Sequence, residues 1–273
     1  MSLLEVRNLE LRFGGVIAVD GLTFSVGDGE IVSVIGPNGA GKTSAFNCIT
    51  GFYRATGGSA RFAGREVTKD RPSRIAASGI ARTFQNLRLF PELTVVDNVR
   101  AGLHTQLREN VFDALLHTPR YRRAEQFCSD ESHRWLDFVG MTGDRGRLVR
   151  NLPYGDQRLV EIARALATRP KLLLLDEPGA GLNHGEKARL IDLIRRIKKL
   201  AVAVVLIEHD MGLVMKISER VVVLNYGKAI ADGPPEQVKR DPAVIEAYLG
   251  PDEETSQSVG TDVERGDTHA GGS

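Results

Sequence analysis

Residues 36–43 read GPNGAGKT, and this stretch decides the fold. The apolar run IVSVI precedes it at 31–35, and the helix-like segment TSAFNCITGF overlaps its last residue and continues to 52. The eight residues match GxxxxGK[ST] between a strand and a helix, which is the context in which that pattern forms a phosphate-binding loop. The stretch therefore predicts an α/β protein with a phosphate site at a helix N-terminus.

The residue types of this loop indicate what each of them can do. Glycines allow the backbone N–H groups to turn inward around phosphate oxygens, and the following helix adds a partial positive charge. Lys42 is placed to reach the β- and γ-phosphates, and the Thr43 hydroxyl is placed to ligate Mg²⁺. The full set of expected nucleotide-binding residues here is Gly36, Pro37, Asn38, Gly39, Ala40, Gly41, Lys42 and Thr43.

Bulk composition narrows the classes of partner and compartment. The 273 residues carry 36 Lys plus Arg against 35 Asp plus Glu, and the net charge of +1 gives no support to nucleic-acid binding. The two cysteines, Cys48 and Cys128, are expected to be buried apolar residues in a reducing compartment. No basic-then-apolar leader opens the chain, and apolar runs such as AVAVVLI at 201–207 are too short to span a bilayer.

The pattern along the chain changes twice. Residues 3–35 alternate short strand-like runs with turns, which favours an antiparallel layer, whereas about 86–165 has helical spacing and predicts a helical insert. From 171 onward strands alternate with helices, which favours a mainly parallel sheet covered on both faces. We therefore expect one domain over 1–250, and a disordered tail over 251–273 because that segment has almost no large apolar residues.

Polar residues follow two apolar runs downstream of the loop. KLLLLDEP places Asp176 and Glu177 at a strand end, where adjacent side chains face opposite ways, so Asp176 can face Mg²⁺ and Glu177 the attacking water. His209 ends the run VVLIEH and is a candidate γ-phosphate contact. Gln85 could bind Mg²⁺ or water through its amide oxygen, although its spacing alone is a weak signal.

These motifs, in this order, resemble those of the ABC-transporter ATPases over roughly residues 3–250. GPNGAGKT is similar to the Walker A motif, LLLLDE to Walker B with its glutamate, and PGAGLN at 178–183 to the D-loop. Gln85 corresponds to the Q-loop glutamine, His209 to the switch histidine, and Phe13 to an aromatic residue that stacks on adenine, with a core position as the alternative for Phe13. The resemblance implies a P-loop NTPase fold with a mainly parallel core sheet, an antiparallel β subdomain and a helical subdomain, with ATP and Mg²⁺ bound.

LPYGDQ at 152–157 lies where the family has its LSGGQ signature. In that family the signature of one subunit closes over the nucleotide held by the other, so a dimer is implied. Pro153 has neither a hydroxyl nor an N–H group to donate to a γ-phosphate, which leaves Tyr154, Gly155 and the helix N-terminus as candidate contacts. We expect the Asp156 carboxylate to point away from the phosphate.

Within the family, several stretches resemble the ATPases of branched-chain amino-acid importers. They are FNCITGFYRATGG, ARTFQNLRLFPELTVVDNV, LPYGDQRLVEIARALA, IEHDMGLVM, AYLG and the insert around 101–133. The resemblance implies an ATPase on the cytoplasmic face of the inner membrane that acts with two permease subunits and, indirectly, an external solute-binding protein. The other ATPase would be a related chain or a second copy, and the Gln85 loop and helical insert would receive the permease's coupling helices.

Other functions remain open from sequence. The chain could serve an exporter of the lipopolysaccharide type or a urea or amide importer, or it could be an inert nucleotide-binding module if its signature is defective. A nucleotide-gated structural clamp would need long heptad arms, which are absent between Walker A and Walker B. A translation factor would normally carry two cassettes, and a GTPase would carry an NKxD motif.

Overall fold

The antiparallel layer expected near the N-terminus forms one of two sheets. The computed structural model describes residues 2–103 and 118–249. The strands of the first sheet are β1 (Ser2–Phe13), β2 (Val16–Gly27), β4 (Gly57–Phe62) and β5 (Arg65–Glu66). Their order is β2-β1-β4-β5, and every neighbouring pair is antiparallel.

The second sheet has six strands and carries the phosphate-binding loop. Its strands are β3 (Ile31–Ile35), β6 (Ile80–Arg82), β7 (Leu172–Asp176), β8 (Ala203–Ile207), β9 (Arg220–Asn225) and β10 (Lys228–Gly233). The order is β10-β9-β3-β8-β7-β6, and all pairs are parallel except β10 with β9. β3, β7 and β8 are buried at every position, as expected for strands covered on both faces.

Helices cover this second sheet and build a separate layer beside it. They are α1 (Lys42–Ile49), α2 (Pro72–Ala77), α3 (Val95–Leu103), α4 (Pro119–Val139), α5 (Tyr154–Ala167), α6 (His184–Lys198), α7 (Met211–Ile217), α8 (Pro235–Val238) and α9 (Pro242–Leu249). Within the predicted helical insert, α3, α4 and α5 pack on one another. Their shared core includes Val99, Leu103, Leu136, Ile162 and Leu166.

The register of the parallel strands brings three candidate segments to one edge. Asp176 at the end of β7 pairs with Ile207 at the end of β8, and Ile207 pairs with Val34 near the end of β3. The carboxyl ends of these strands therefore meet. The loop at 36–41, the pair Asp176–Glu177 and His209 all follow from that edge, which is where such sheets bind ligands.

Several expectations differ from the structure or lie outside it. Residues 235–249 form two helices, α8 and α9, because Pro242 begins a second one, and the antiparallel strand β10 was not predicted. The tail 251–273 and residues 104–117 of the insert lie outside the described residues. Cys48 and Cys128 are both buried and not disulfide-bonded. Among the helices of the described ranges, none combines the length and apolar character needed to cross a membrane.

Candidate functional site

The loop between β3 and α1 packs so closely on neighbouring strands that two of its positions have no room for a side chain. Gly36 has φ 149, and a Cβ atom there would lie 2.1 Å from the carbonyl oxygen of Leu224. Gly41 has φ 95, and a Cβ atom there would lie 2.2 Å from the carbonyl oxygen of Ala18. Only glycine fits these two positions, because the φ values and the neighbouring carbonyls both exclude a side chain.

Lys42 begins α1 and is 8% exposed. Its Nζ donates hydrogen bonds to the carbonyl oxygens of Gly36 at 2.7 Å and Pro37 at 2.9 Å. Burial lowers the pKa of Lys42, and the nearby charges of Glu177 and Asp176 oppose that shift. The ammonium group is thus held at the loop, where phosphate oxygens would supply the counter-charge that the main chain lacks.

Asp176 is 2% exposed and uses only one of its two carboxylate oxygens. Oδ2 accepts a hydrogen bond from Nη2 of Arg82 at 2.8 Å, whereas the buried Oδ1 has no hydrogen-bond partner among the described residues. A buried carboxylate oxygen without a partner is costly, and such groups commonly serve a ligand. The free oxygen is therefore available to a cation.

A cavity of about 300 Å³ joins Asp176 to Thr43 and Gln85. Hydroxyl, carboxylate and amide oxygens suit Mg²⁺, which keeps several waters and often binds through few protein groups plus substrate phosphates. Residues 2–103 and 118–249 contain no cluster of three or more His, Cys, Asp or Glu side chains that could hold a metal by themselves. The donor set therefore fits Mg²⁺ bound together with a nucleotide.

Arg82, at the end of β6, is a site residue that sequence reasoning missed. Besides Asp176, its guanidinium donates to Oδ1 of Asn47 at 2.7 Å and Oγ1 of Thr50 at 3.0 Å. It also lies 4.9 Å from the centroid of the Phe84 ring. These contacts fix one oxygen of Asp176, so the orientation of the other is set.

Glu177 and Gln85 are in direct contact, since Nε2 of Gln85 donates to Oε2 of Glu177 at 3.0 Å. Glu177 has φ 47, a left-handed conformation that costs a non-glycine residue on the order of 1–2 kcal/mol. Backbone outliers of this kind cluster at functional sites. Its main-chain N–H is held by the carbonyl oxygen of Ile207 at 3.0 Å, so β8 supports the unusual turn.

Glu208, next to the exposed His209, is a second residue that sequence reasoning missed. It is fully buried, and its Oε1 accepts from the Gly179 N–H at 2.7 Å, while Oε2 accepts from the N–H groups of His209 and Asp210 at 3.3 and 3.5 Å. Burial raises the pKa of Glu208, and these backbone donors oppose the shift. The carboxylate therefore ties the turn that carries His209 to the segment after Glu177.

Phe13 lies at the surface, 49% exposed, which excludes the core alternative. Its ring meets Tyr53 edge-on, with centroids 5.3 Å apart and an interplanar angle of 83°. Tyr53 is itself 40% exposed and was not singled out from sequence. Two exposed aromatic rings in contact form a surface on which a flat base can stack.

LPYGDQ forms the start of α5, with Pro153 in the N-cap position, one residue before the helix. The Pro153 carbonyl accepts from the N–H groups of Asp156 and Gln157 at 3.1 and 3.0 Å. The Asp156 carboxylate accepts from Nη1 of Arg189 at 3.4 Å. Gly155 is buried, and a Cβ atom there would lie 2.5 Å from Oε1 of Glu186, so a side chain at this position would require Glu186 to move.

The structure thus brings together part of the predicted site within one chain. The cavity unites Thr43, Gln85 and Asp176, and Glu177 touches Gln85. Phe13, His209, Tyr154 and Gly155 do not line that cavity. Their predicted contacts with nucleotide stay predictions.

The comparison with known proteins decides the family. A family model described as ABC transporter matches residues 19–180. The chain belongs to the ABC transporter family. It is an ABC ATPase, and its cassette is a nucleotide-binding domain, as the loop at 36–43 predicted. A second model, described as branched-chain amino acid ATP-binding cassette transporter, matches residues 230–252.

Relatives and solved structures agree with this assignment. The high-affinity branched-chain amino acid transport ATP-binding protein BraF of Pseudomonas aeruginosa is 48% identical over 249 residues, covering 91% of this chain and 98% of that protein. A nucleotide-free ATP-binding cassette from an ABC transporter superposes with a TM-score of 0.81 at 31% identity, covering 92% of this chain and all of that one. The ADP conformation of the cassette MJ1267 gives 0.80 at 31%, with the same coverage. The predicted family and fold class are therefore confirmed.

The position of Phe13 in this ABC ATPase leads to a prediction. Phe13→Ala should weaken ATP binding by roughly 5- to 150-fold, because a stacked base contributes about 1–3 kcal/mol on comparable aromatic platforms. The melting temperature without nucleotide should stay nearly unchanged, since the ring is half exposed. Calorimetric titration with ATP and a thermal melt measure the two quantities. Unchanged affinity together with a large loss of thermal stability would contradict the stacking role.

Proposed function

We propose that this ABC ATPase binds ATP with Mg²⁺ and hydrolyses it to power an importer of branched-chain or related amino acids. The observation that carries the catalytic part is the cavity shared by Thr43, Gln85 and Asp176, with its unpartnered carboxylate oxygen. The solute class rests on the similarity to BraF and on the second family model at 230–252. The permease and binding protein select the solute, so this chain supplies energy rather than specificity.

Each site residue then has a distinct task. Phe13 stacks on adenine, the loop 36–43 cradles the phosphates, and Lys42 neutralises the β- and γ-phosphates. Thr43, Gln85 and Asp176 would hold Mg²⁺, which offsets phosphate charge when bound. Glu177 accepts a proton from the attacking water.

His209 is the last of the proposed catalytic residues, and it follows β8, the strand beside β7. We propose that it contacts the γ-phosphate, and its exposure directly after β8 supports this. Glu208 holds the adjoining main chain, which limits how far the histidine can move.

A second ATPase subunit, either a related chain or another copy of this one, completes the site. The N–H groups of Tyr154 and Gly155, the first two residues of α5, have no intrahelical partner, and no side chain caps this end. Such a helix end attracts anions. We propose that Tyr154 and Gly155, at this end, face the nucleotide held by the partner's loop.

A groove beside the Gln85 loop supports docking of this chain on a permease subunit at the cytoplasmic face of the inner membrane. The transporter would have two permease subunits in all. The groove measures about 480 Å³, and its lining includes Phe52, Ile75, Phe84, Phe90, Ala101 and Ala165. Phe52 and Phe90 are 48% and 51% exposed. Exposed aromatic side chains around a mostly apolar groove suit a short amphipathic helix. The solute-binding protein would contact the permease and not this chain.

The groove gives the experiment that tests this assignment. Ala101→Glu places a charge in the apolar lining, where a docked permease helix would bury it without a partner. The amount of permease that co-purifies with the chain from detergent-solubilised membranes should therefore fall at least about tenfold. ATP affinity should remain normal. The matched control Ala229→Glu changes an exposed alanine on β10 and should co-purify like the wild type. Equal permease recovery with both variants would refute docking at this groove.

A further inference from the structure

Arg158 lies in the first turns of α5 yet is only 1% exposed, and its contacts are not those of a surface arginine. Nη1 donates to the carbonyl oxygen of Phe84 at 2.7 Å, and Nη2 donates to the carbonyl oxygen of Gln85 at 2.9 Å. A planar guanidinium can hold two neighbouring carbonyls in this way because its donors have a fixed fork geometry. The side chain therefore joins the signature helix directly to the main chain of Gln85.

Two further side chains hold the guanidinium in place. Nη2 also donates to the hydroxyl oxygen of Tyr154 at 2.8 Å, and the guanidinium carbon lies 5.6 Å from that ring's centroid. Glu161, 2% exposed, accepts from Nη1 at 3.0 Å and from the Arg88 N–H at 3.2 Å. Arg158 is thus fixed from both sides, and the Gln85 loop is held at Phe84, Gln85 and Arg88.

The ring of Tyr154 also lies close to the segment after Glu177. A Cβ atom on Gly181 would lie 3.4 Å from Cε1 of Tyr154, which is contact distance. Tyr154 is 42% exposed and stands at the end of α5 that the dimer would cover. Tyr154 therefore stands at the exposed helix end, lies close to the segment after Glu177 and bonds to the arginine that holds Gln85.

We propose that Arg158, held by Tyr154, is a positioning residue that sets the place of the Gln85 side chain beside Glu177. Phe84 and Gln85 follow β6, which ends at Arg82, so no strand fixes them. Gln85 donates to Glu177 at 3.0 Å, and a shift of its main chain would break that contact. The inference rests on the proposed catalytic role of Gln85 in ATP hydrolysis.

A double-mutant cycle on ATP hydrolysis tests the proposal in the ATPase assembled with its permease. Arg158→Lys keeps the charge beside Glu161 but loses the fork that reaches both carbonyls. Tyr154→Phe keeps the ring and removes only the hydroxyl. Each change is combined with Gln85→Ala, and active sites are counted by ADP binding so that misfolded protein does not enter the rate.

The expected pattern is a loss in kcat that depends on Gln85. Arg158→Lys should lower kcat about tenfold with KM for ATP changed less than about twofold, and Tyr154→Phe should give a smaller loss of the same kind. In the Gln85→Ala background each change should add less than about twofold, since residues acting through one group are not additive. The control Arg147→Lys alters an exposed arginine that also donates to a carbonyl, that of Asn151 at 2.9 Å, and should leave kcat unchanged.

Other outcomes overturn the proposal. Equal fold-losses in both backgrounds, or wild-type kcat for both single variants, would leave Arg158 a structural residue only. Tyr154→Phe decides the matter if Arg158→Lys does not fold. Wild-type hydrolysis by Gln85→Ala would remove the role of Gln85 and this inference with it. Failure of leucine uptake with the expected cycle intact would refute the solute assignment alone.

Discussion

Glu177→Gln is expected to slow ATP hydrolysis on the order of 10²- to 10⁴-fold while ATP binding persists, because the substitution removes the general base and little else. The amide has the same shape as the carboxylate and can still accept the hydrogen bond from Nε2 of Gln85. The strained turn at Glu177 and its main-chain contact with Ile207 are also unaffected. The loss should therefore fall on kcat.

The same variant should accumulate as an ATP-bound dimer. ATP hydrolysis would normally let the two ATPase subunits separate. Without it, size-exclusion chromatography or light scattering with Mg²⁺ and ATP should show twice the molecular mass of the monomer. Glu236→Gln, which changes an exposed glutamate at the start of α8, serves as the control and should hydrolyse normally. A Glu177→Gln protein that stays monomeric and hydrolyses at the normal rate would exclude Glu177 as the base.

Lys42→Ala is expected to lower ATP affinity on the order of 100-fold, because hydrogen bonds to charged groups are worth about 1.5–3 kcal/mol and this one amine serves two phosphates. Lys42 is nearly buried, and burial already lowers the pKa of its ammonium group. Bound phosphate would relieve that cost, so the charge contributes more to binding than an exposed lysine would. Isothermal titration with ATP and ADP measures the loss.

The control for Lys42 is Lys69→Ala, which removes an exposed lysine and should bind ATP normally. The Lys42→Ala fold should be retained, since α1 keeps its buried residues Ala45, Phe46 and Ile49. Undiminished affinity in a folded Lys42→Ala protein would refute the assignment of the phosphate loop.

The parts of the site that the sequence predicted are local ones. GPNGAGKT and LLLLDEP each carry their strand, turn and polar residues within one short stretch, so their chemistry is legible without knowing the rest of the fold. The parallel sheet then places both at one edge, as the alternation of strands and helices after 171 indicated. Phe13 is different, because exposure depends on neighbours such as Tyr53 that are distant in sequence.

The residues that were missed act through long-range contacts. Arg82 meets Asp176 only because the three-residue strand β6 pairs with β7, at Ile80 with Leu172, which is 92 residues later in sequence. Arg158 reaches main-chain carbonyls at Phe84 and Gln85, and a carbonyl leaves no trace in the residue pattern. Glu208 was not singled out from sequence, because one of its partners is the Gly179 N–H on another segment.

The position of Pro153 shows the limit of local rules in a different way. The pattern LPYGDQ does not distinguish the first turn of the helix from the N-cap position for Pro153, and the structure places this proline in the N-cap position. Both positions suit proline, because neither needs its N–H. The tight packing of Gly155 on Glu186 could not be predicted, since it depends on how α6 begins beside α5.

ATP-driven uptake of labelled leucine tests the central claim most directly. Proteoliposomes would contain this chain assembled with its permease. ATP would be supplied on the cytoplasmic side of the membrane, and the solute-binding protein would be added on the opposite side. The account predicts leucine accumulation with the wild-type chain, and none with Glu177→Gln despite retained ATP binding. Leucine accumulation at the wild-type rate with Glu177→Gln, or ATP hydrolysis without transport of any branched-chain amino acid, would contradict it.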